Sequence, residues 1–174
     1  FNRMPVPETP LERPYFDVPD HAETYYAIAS DPEATGSQVG VLALQDPQEV
    51  TTVGGYREAL VDVLVSSMMN NRLQELTQQA DPPFVAAFSG QGEFVRAKSA
   101  FQILALVQED GHARGLEALF VEAERAARHG FTDGELERQK LDLVRGLELT
   151  FNDRENQESL QFASEYINHF LQGN

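Results

Sequence analysis

The chain contains no cysteine, which excludes disulfide bridges, thiolate nucleophiles and cysteine zinc sites, and leaves its compartment open. Basic charge is scarce. There are 13 Lys and Arg against 28 Asp and Glu, for a formal net charge of −15. A surface of that sign repels phosphate backbones, which argues against nucleic-acid binding; it favours solubility and attracts cations or basic peptides. No apolar run approaches the roughly 20 residues of a membrane span, and no stretch has the pattern of a signal peptide. The four histidines, His21, His112, His129 and His169, never lie three or four residues apart. No helix can therefore present the paired imidazoles of a His-x-x-Glu-His zinc site, in either direction, and each histidine reads as a surface or capping residue. A Gly-x-Ser-x-Gly nucleophile elbow is also missing. The nearest glycine-rich run, Ser89-Gly90-Gln91-Gly92, leads to a strand and has no following Lys-Ser/Thr, so it is no phosphate cradle. Glu122/Glu124 and Glu135/Glu137 are spaced by two on helices, point apart, and read as solvated charge.

What is present suffices for one domain: 174 residues, 41% of them hydrophobic, support a single core and are short for two. Residues 1–22 read as an extended, proline-rich interdomain linker, with Pro5, Pro7, Pro10, Pro14 and Pro19. The start at Phe1 fits a segment of a longer protein. The domain proper is expected over residues 23–174.

Residues 23–30 (ETYYAIAS) and 37–44 (SQVGVLAL) read as two antiparallel strands around the turn-rich 31–36. A helix is expected from near Val50 to Tyr56 as far as about Gln79, with Leu60, Leu64, Met68, Leu73 and Leu76 on or near one face. Pro82 and Pro83 forbid further helix, and Phe84 to Ser89 restart as a short buried strand. Gly90-Gln91-Gly92 reads as a turn. Residues 99–108 form the next strand, apolar on both faces and so expected to be covered on both. A helix over about 113–129 follows, with Gly130 in the left-handed cap position. Thr132 and Glu135 make a capping box for a helix from Asp133 to about Phe151. The last helix, 155–171, carries Leu160, Ala163, Ile167, Phe170 and Leu171 on one stripe. The expected fold is α+β: a two-layer sandwich with a mostly antiparallel sheet of at least four strands packed by helices, in the order β-β-α-β-β-α-α-α.

In this order and spacing, several stretches resemble the insulinase or pitrilysin family of zinc metallopeptidases. Gly130, Thr132, Glu135, Leu136 and Lys140 match a pattern like Gly-x-Thr-x-x-Glu-Leu-x-x-x-Lys that opens the later helix of each repeated domain. TYYAIASDPEATGSQVGVLAL and YREALVDVLVSSMMNNRLQEL resemble the opening strands and first long helix. The similarity runs from about Pro19 to Leu171. Family members assemble homologous α+β domains in two lobes that close around a peptide, with zinc and general base in the first domain on a His-x-x-Glu-His helix. That helix is absent here, so the resemblance implies a non-catalytic domain, with the second domain of the N-terminal lobe preferred.

The same resemblance implies that the parent protein is a zinc metalloendopeptidase, while this segment holds neither zinc nor catalytic residues. The implied partners are the catalytic zinc domain of the same chain, the opposite lobe, and peptide substrate. A bacterial periplasmic location is implied by relatives of this type. Domains that complete the active site carry an Arg and a Tyr near the end of the first long helix and the next strand. Gln74 and Phe84 stand near those places and lack the charge and the hydroxyl. Arg72 is two helix positions from Gln74, about 200° away. Arg72, Gln74 and Phe84 are the candidate lining of a substrate chamber. The alternative reading is an inactive relative acting as scaffold or protein-binding subunit; a third is a free-standing acidic domain binding a small ligand.

Overall fold

The computed structural model describes Pro14, residues 16–48 and residues 50–172. Most of the proline-rich leading segment therefore lies outside the described residues, as does the side chain of Leu171. Seven main elements follow in chain order: β1 (Ser37–Gln45), α1 (Val53–Thr77), β2 (Ala86–Val95), β3 (Lys98–Val107), α2 (His112–His129), α3 (Asp133–Asn152) and α4 (Ser159–Gln172), with a single 3-10 turn at Arg154–Asn156 before the last. The sheet has three strands in the order β1-β3-β2, both pairings antiparallel.

This corrects the expected fold. Among the described residues there is no fourth strand, and the order is β-α-β-β-α-α-α. Residues 23–30 alternate as a strand would, yet they pair with nothing: Tyr25, Tyr26 and Ile28 are 73%, 89% and 98% exposed. The turn after them does form. The Asp31 carbonyl accepts from the Ala34 amide at 3.0 Å and its carboxylate from the Glu33 amide at 2.8 Å. Local turn chemistry was thus satisfied without the pairing, because alternation gives a segment a face and cannot supply the neighbour that a strand needs.

The second correction concerns the hairpin. Gly90-Gln91-Gly92 lies inside β2, and the chain reverses at Arg96-Ala97. Glycine is tolerated in this edge strand because the Phe88 ring lies over Gly90, where an added Cβ would meet ring carbons at 2.6 and 2.9 Å.

One face of the sheet is covered. Val39, Ala105 and Ala87 lie side by side across the three strands, as do Val41, Ile103 and Ser89, and α1 and α2 lie over them. Met69 and Leu73 from α1, Leu119 from α2 and Phe84 from the loop before β2 complete the core. Gly115 allows α2 to approach closely: a Cβ there would stand 2.4 Å from Cγ1 of Val107. The opposite face carries Leu42, Phe88 and Leu106, 45%, 49% and 43% exposed, so the expectation that β3 is covered on both sides also fails. α3 packs on α1 rather than on the sheet.

The capping box forms as read, while Gly130 closes α2 with a positive φ but outside the left-handed helical region that was expected. The Glu135 amide donates to Thr132 Oγ1 and the Thr132 amide to Glu135 Oε2, at 3.3 and 2.7 Å. Gly130 has φ +65° and ψ −154°, a conformation essentially reserved for glycine.

Candidate functional site, a groove between the first helix and the hairpin

Large side chains fill one end of the contact between α1 and the sheet, and small or polar ones leave a gap at the other. Towards its C-terminus α1 contributes Met69 and Leu73. Towards its N-terminus, Ala59, Asp62, Ser66 and Asn70, spaced as one helical face, look across at Ser89, Gln91 and Glu93 of β2. The result is a groove of about 800 Å3 that also touches Gly90, Gly92, Arg96 and Ser99.

Its inner wall is fixed by Asn70. The Asn70 amide nitrogen donates to the Ser89 carbonyl at 2.9 Å, and the Ser89 amide donates to Asn70 Oδ1 at 2.7 Å. A side-chain amide thereby occupies the place of a neighbouring strand on the free edge of β2, where unpaired backbone groups would otherwise stand. Ser89 itself is 1% exposed and its hydroxyl has no hydrogen-bond partner. A buried hydroxyl in that condition is costly unless water or a ligand reaches it. The hydrogen bonds between Asn70 and the Ser89 backbone make the base of the groove polar.

No histidine lines the groove, and its serines therefore have no imidazole beside them. Among the described residues no three His, Asp or Glu side chains come together as a metal would require. The donor set does not fit zinc.

The three residues expected to line a chamber are not gathered there. Phe84 is 2% exposed within the core. Gln74 is exposed and its amide donates to Thr77 Oγ1 at 3.1 Å. Arg72, 7% exposed, turns towards α3: Nε donates to Glu135 Oε1 at 2.6 Å, and Nη2 to Glu135 Oε2 and the Gly130 carbonyl, each at 3.0 Å. The guanidinium lies 4.5 Å from the centre of the Phe131 ring. Hydrogen bonding to Arg72, helped by Thr132, holds the Glu135 carboxyl down at about 2, and the same bond raises Arg72. Arg72 thus ties α1 to the start of α3.

A second ionic cluster anchors the leading segment. Lys98 Nζ donates to Asp20 and Asp46, each at 2.7 Å; these hydrogen bonds raise the lysine, and the one from Lys98 lowers Asp20. Asn70 and Ser89 were missed as site residues. The available signal was the polar Ser66, Ser67 and Asn70 on a helix whose neighbours are mostly apolar.

No protein-family model matches the chain. Over 162 residues, 93% of its length, it is 26% identical to a zinc protease PQQL-like protein of Arabidopsis thaliana, and this match spans 14% of that relative. Its fold matches the crystal structure of the first half of the periplasmic protease PqqL from Escherichia coli with a TM-score of 0.75 at 15% identity, covering 82% of this chain and 31% of that one. The structure of the PqqL protease itself gives the same score, with 16% of its chain covered. The resemblance to insulinase-type zinc peptidases is borne out, as a likeness to one part of a longer protein.

Proposed function

We propose that this chain is a non-catalytic domain of a zinc metalloendopeptidase, most simply the second domain of its N-terminal lobe, which supports the catalytic domain and helps to enclose the peptide. One observation carries the reading: a groove of about 800 Å3 lies open between α1 and β2, and Asn70, Ser89, Gln91 and Glu93 bring hydrogen-bonding groups to its mixed polar and apolar lining. Gly92, with nothing within 4 Å of where a Cβ would stand, lets an extended chain approach the backbone closely. Such a domain contributes by positioning and by excluding water. The likeness to the PqqL half-structure supports the placement in the N-terminal lobe. Zinc belongs to the catalytic domain of the parent, and the periplasm is the proposed compartment, as for the Escherichia coli protease.

The test is calorimetric and spectroscopic. The 174-residue chain is expected to take up no stoichiometric zinc and to cleave no peptide. An unstructured peptide should perturb the amide resonances of Asn70 and of residues 89–93 and leave those of α2 unchanged. Stoichiometric zinc binding, or peptide shifts confined to other surfaces, would overturn the proposal.

A further inference from the structure

A second groove, beside the first along α1, poses a separate problem. α1 and α3 leave between them an apolar groove of about 390 Å3, lined by Val63, Leu64, Leu143, Gly146, Leu147 and Thr150, among others. Gly146 sits in the interior of α3, where glycine costs roughly 1 kcal/mol relative to alanine. Nothing lies within 4 Å of where its Cβ would be. The glycine thus leaves the floor of the groove open, with room for a side chain of another element to sit against the α3 backbone.

The same chain carries an apolar stripe of matching length. On α4, Leu160, Ala163, Ile167 and Phe170 share one face, and Leu160, Ile167 and Phe170 are 72%, 56% and 87% exposed. From Leu160 to Phe170 the stripe runs about 15 Å, and the α3 wall of the groove from Gln139 to Thr150 about 17 Å, at 1.5 Å per helical residue. Residues 153–158 separate the two helices. Six such residues reach about 20 Å when extended, against the 8–10 Å between packed helix axes. The groove ends at Thr150, beside the point where this connection leaves α3. An isolated helix as short as α4 is marginal in water, so it needs a surface to pack on.

We propose that α4 folds back antiparallel to α3 and seats its Leu160–Ala163–Ile167–Phe170 stripe in the α1–α3 groove over Gly146. In that register Ala163 lies against Gly146 and Leu147, Ile167 against Leu143, and Phe170 near Gln139. The closed helix covers the apolar wall of the helical layer, next to the groove at Asn70 and Ser89, with which this site shares Val63 and Ser67. This inference does not rest on the proposed function.

Amide hydrogen exchange on the 174-residue chain tests it. Residues 159–170 should be protected by about tenfold or more over the free-helix rate, independently of protein concentration. Gly146→Leu, which fills the groove, and Ile167→Asp, which spoils the stripe on an exposed position, should each abolish that protection; the amides of β3 report that the core is intact, and Ile167→Asp decides the matter if Gly146→Leu does not fold. The proposal is overturned if residues 159–170 exchange freely in the unmodified chain or if their protection survives Ile167→Asp. Protection that grows with concentration would also overturn it, by assigning the cover to a second copy.

Discussion

Arg72 illustrates how a residue's type can be read correctly and its task missed. A charged side chain near the end of a long helix invites a surface role, but here it is buried and holds Glu135, the Gly130 carbonyl and the face of Phe131 at once. Removing one partner leaves the other charge stranded. Arg72→Met is expected to lower stability by about 3 kcal/mol, measured by urea denaturation at neutral pH. The Glu135 carboxyl, ordinarily near 4.5, is held at about 2, first by the hydrogen bond from Arg72. A depressed folded value means that its stabilisation is complete above 4.5 and disappears as the pH falls towards 2. Glu135→Gln should therefore be less stable than the unmodified chain at neutral pH, and the gap should close across that acid window. A gap that persists unchanged to the bottom of it would refute the assignment. Asn70 acts on the same scale. Asn70→Ala strips the Ser89 amide and carbonyl of their partners and should cost about 2 kcal/mol; thermal unfolding followed by circular dichroism would register it.

At the scale of elements, the helices were legible because each carries its own signals. Thr52 caps α1, accepting from the Gly55 amide at 3.0 Å; Thr132 and Glu135 cap α3; and Gly130 closes α2 with a positive φ. Gly130→Ala should destabilise by about 1–3 kcal/mol, since an L side chain must enter a conformation that only glycine adopts without strain. A change of a few tenths would mean that the loop relaxes freely. Strands were less legible. β1 and β3 were placed to within a residue or so, but β2 was cut short at Gly90, since two glycines around one glutamine look like a turn until a neighbouring phenylalanine covers one of them. The missing strand at residues 23–30 failed for the complementary reason: its alternation and its turn are local, its partner is not.

At the scale of the whole molecule, helices cover one face of the sheet, and among the described residues none covers the other. The bare side exposes Leu42, Phe88 and Leu106, a contiguous apolar surface of the sort that mediates association. Leu106→Lys should reduce self-association in light scattering while shifting stability by no more than about 0.5 kcal/mol. Loss of the fold instead would mean that this face is part of the core. Among the described residues no helix is long and apolar enough to cross a membrane. Composition, caps and apolar periodicity by themselves determined an acidic α+β chain without cysteine chemistry or paired zinc histidines, along with its helices and its likeness to insulinase-type peptidases, because each of these depends on residues near one another in the chain. Only the tertiary structure decided the number of strands, the bare sheet face, the inward turn of Arg72 and the groove at Asn70 and Ser89. Those depend on which surfaces meet, and hydrogen bonds such as the one between Arg72 and Glu135, 63 residues apart, leave no periodic trace in the chain that makes them.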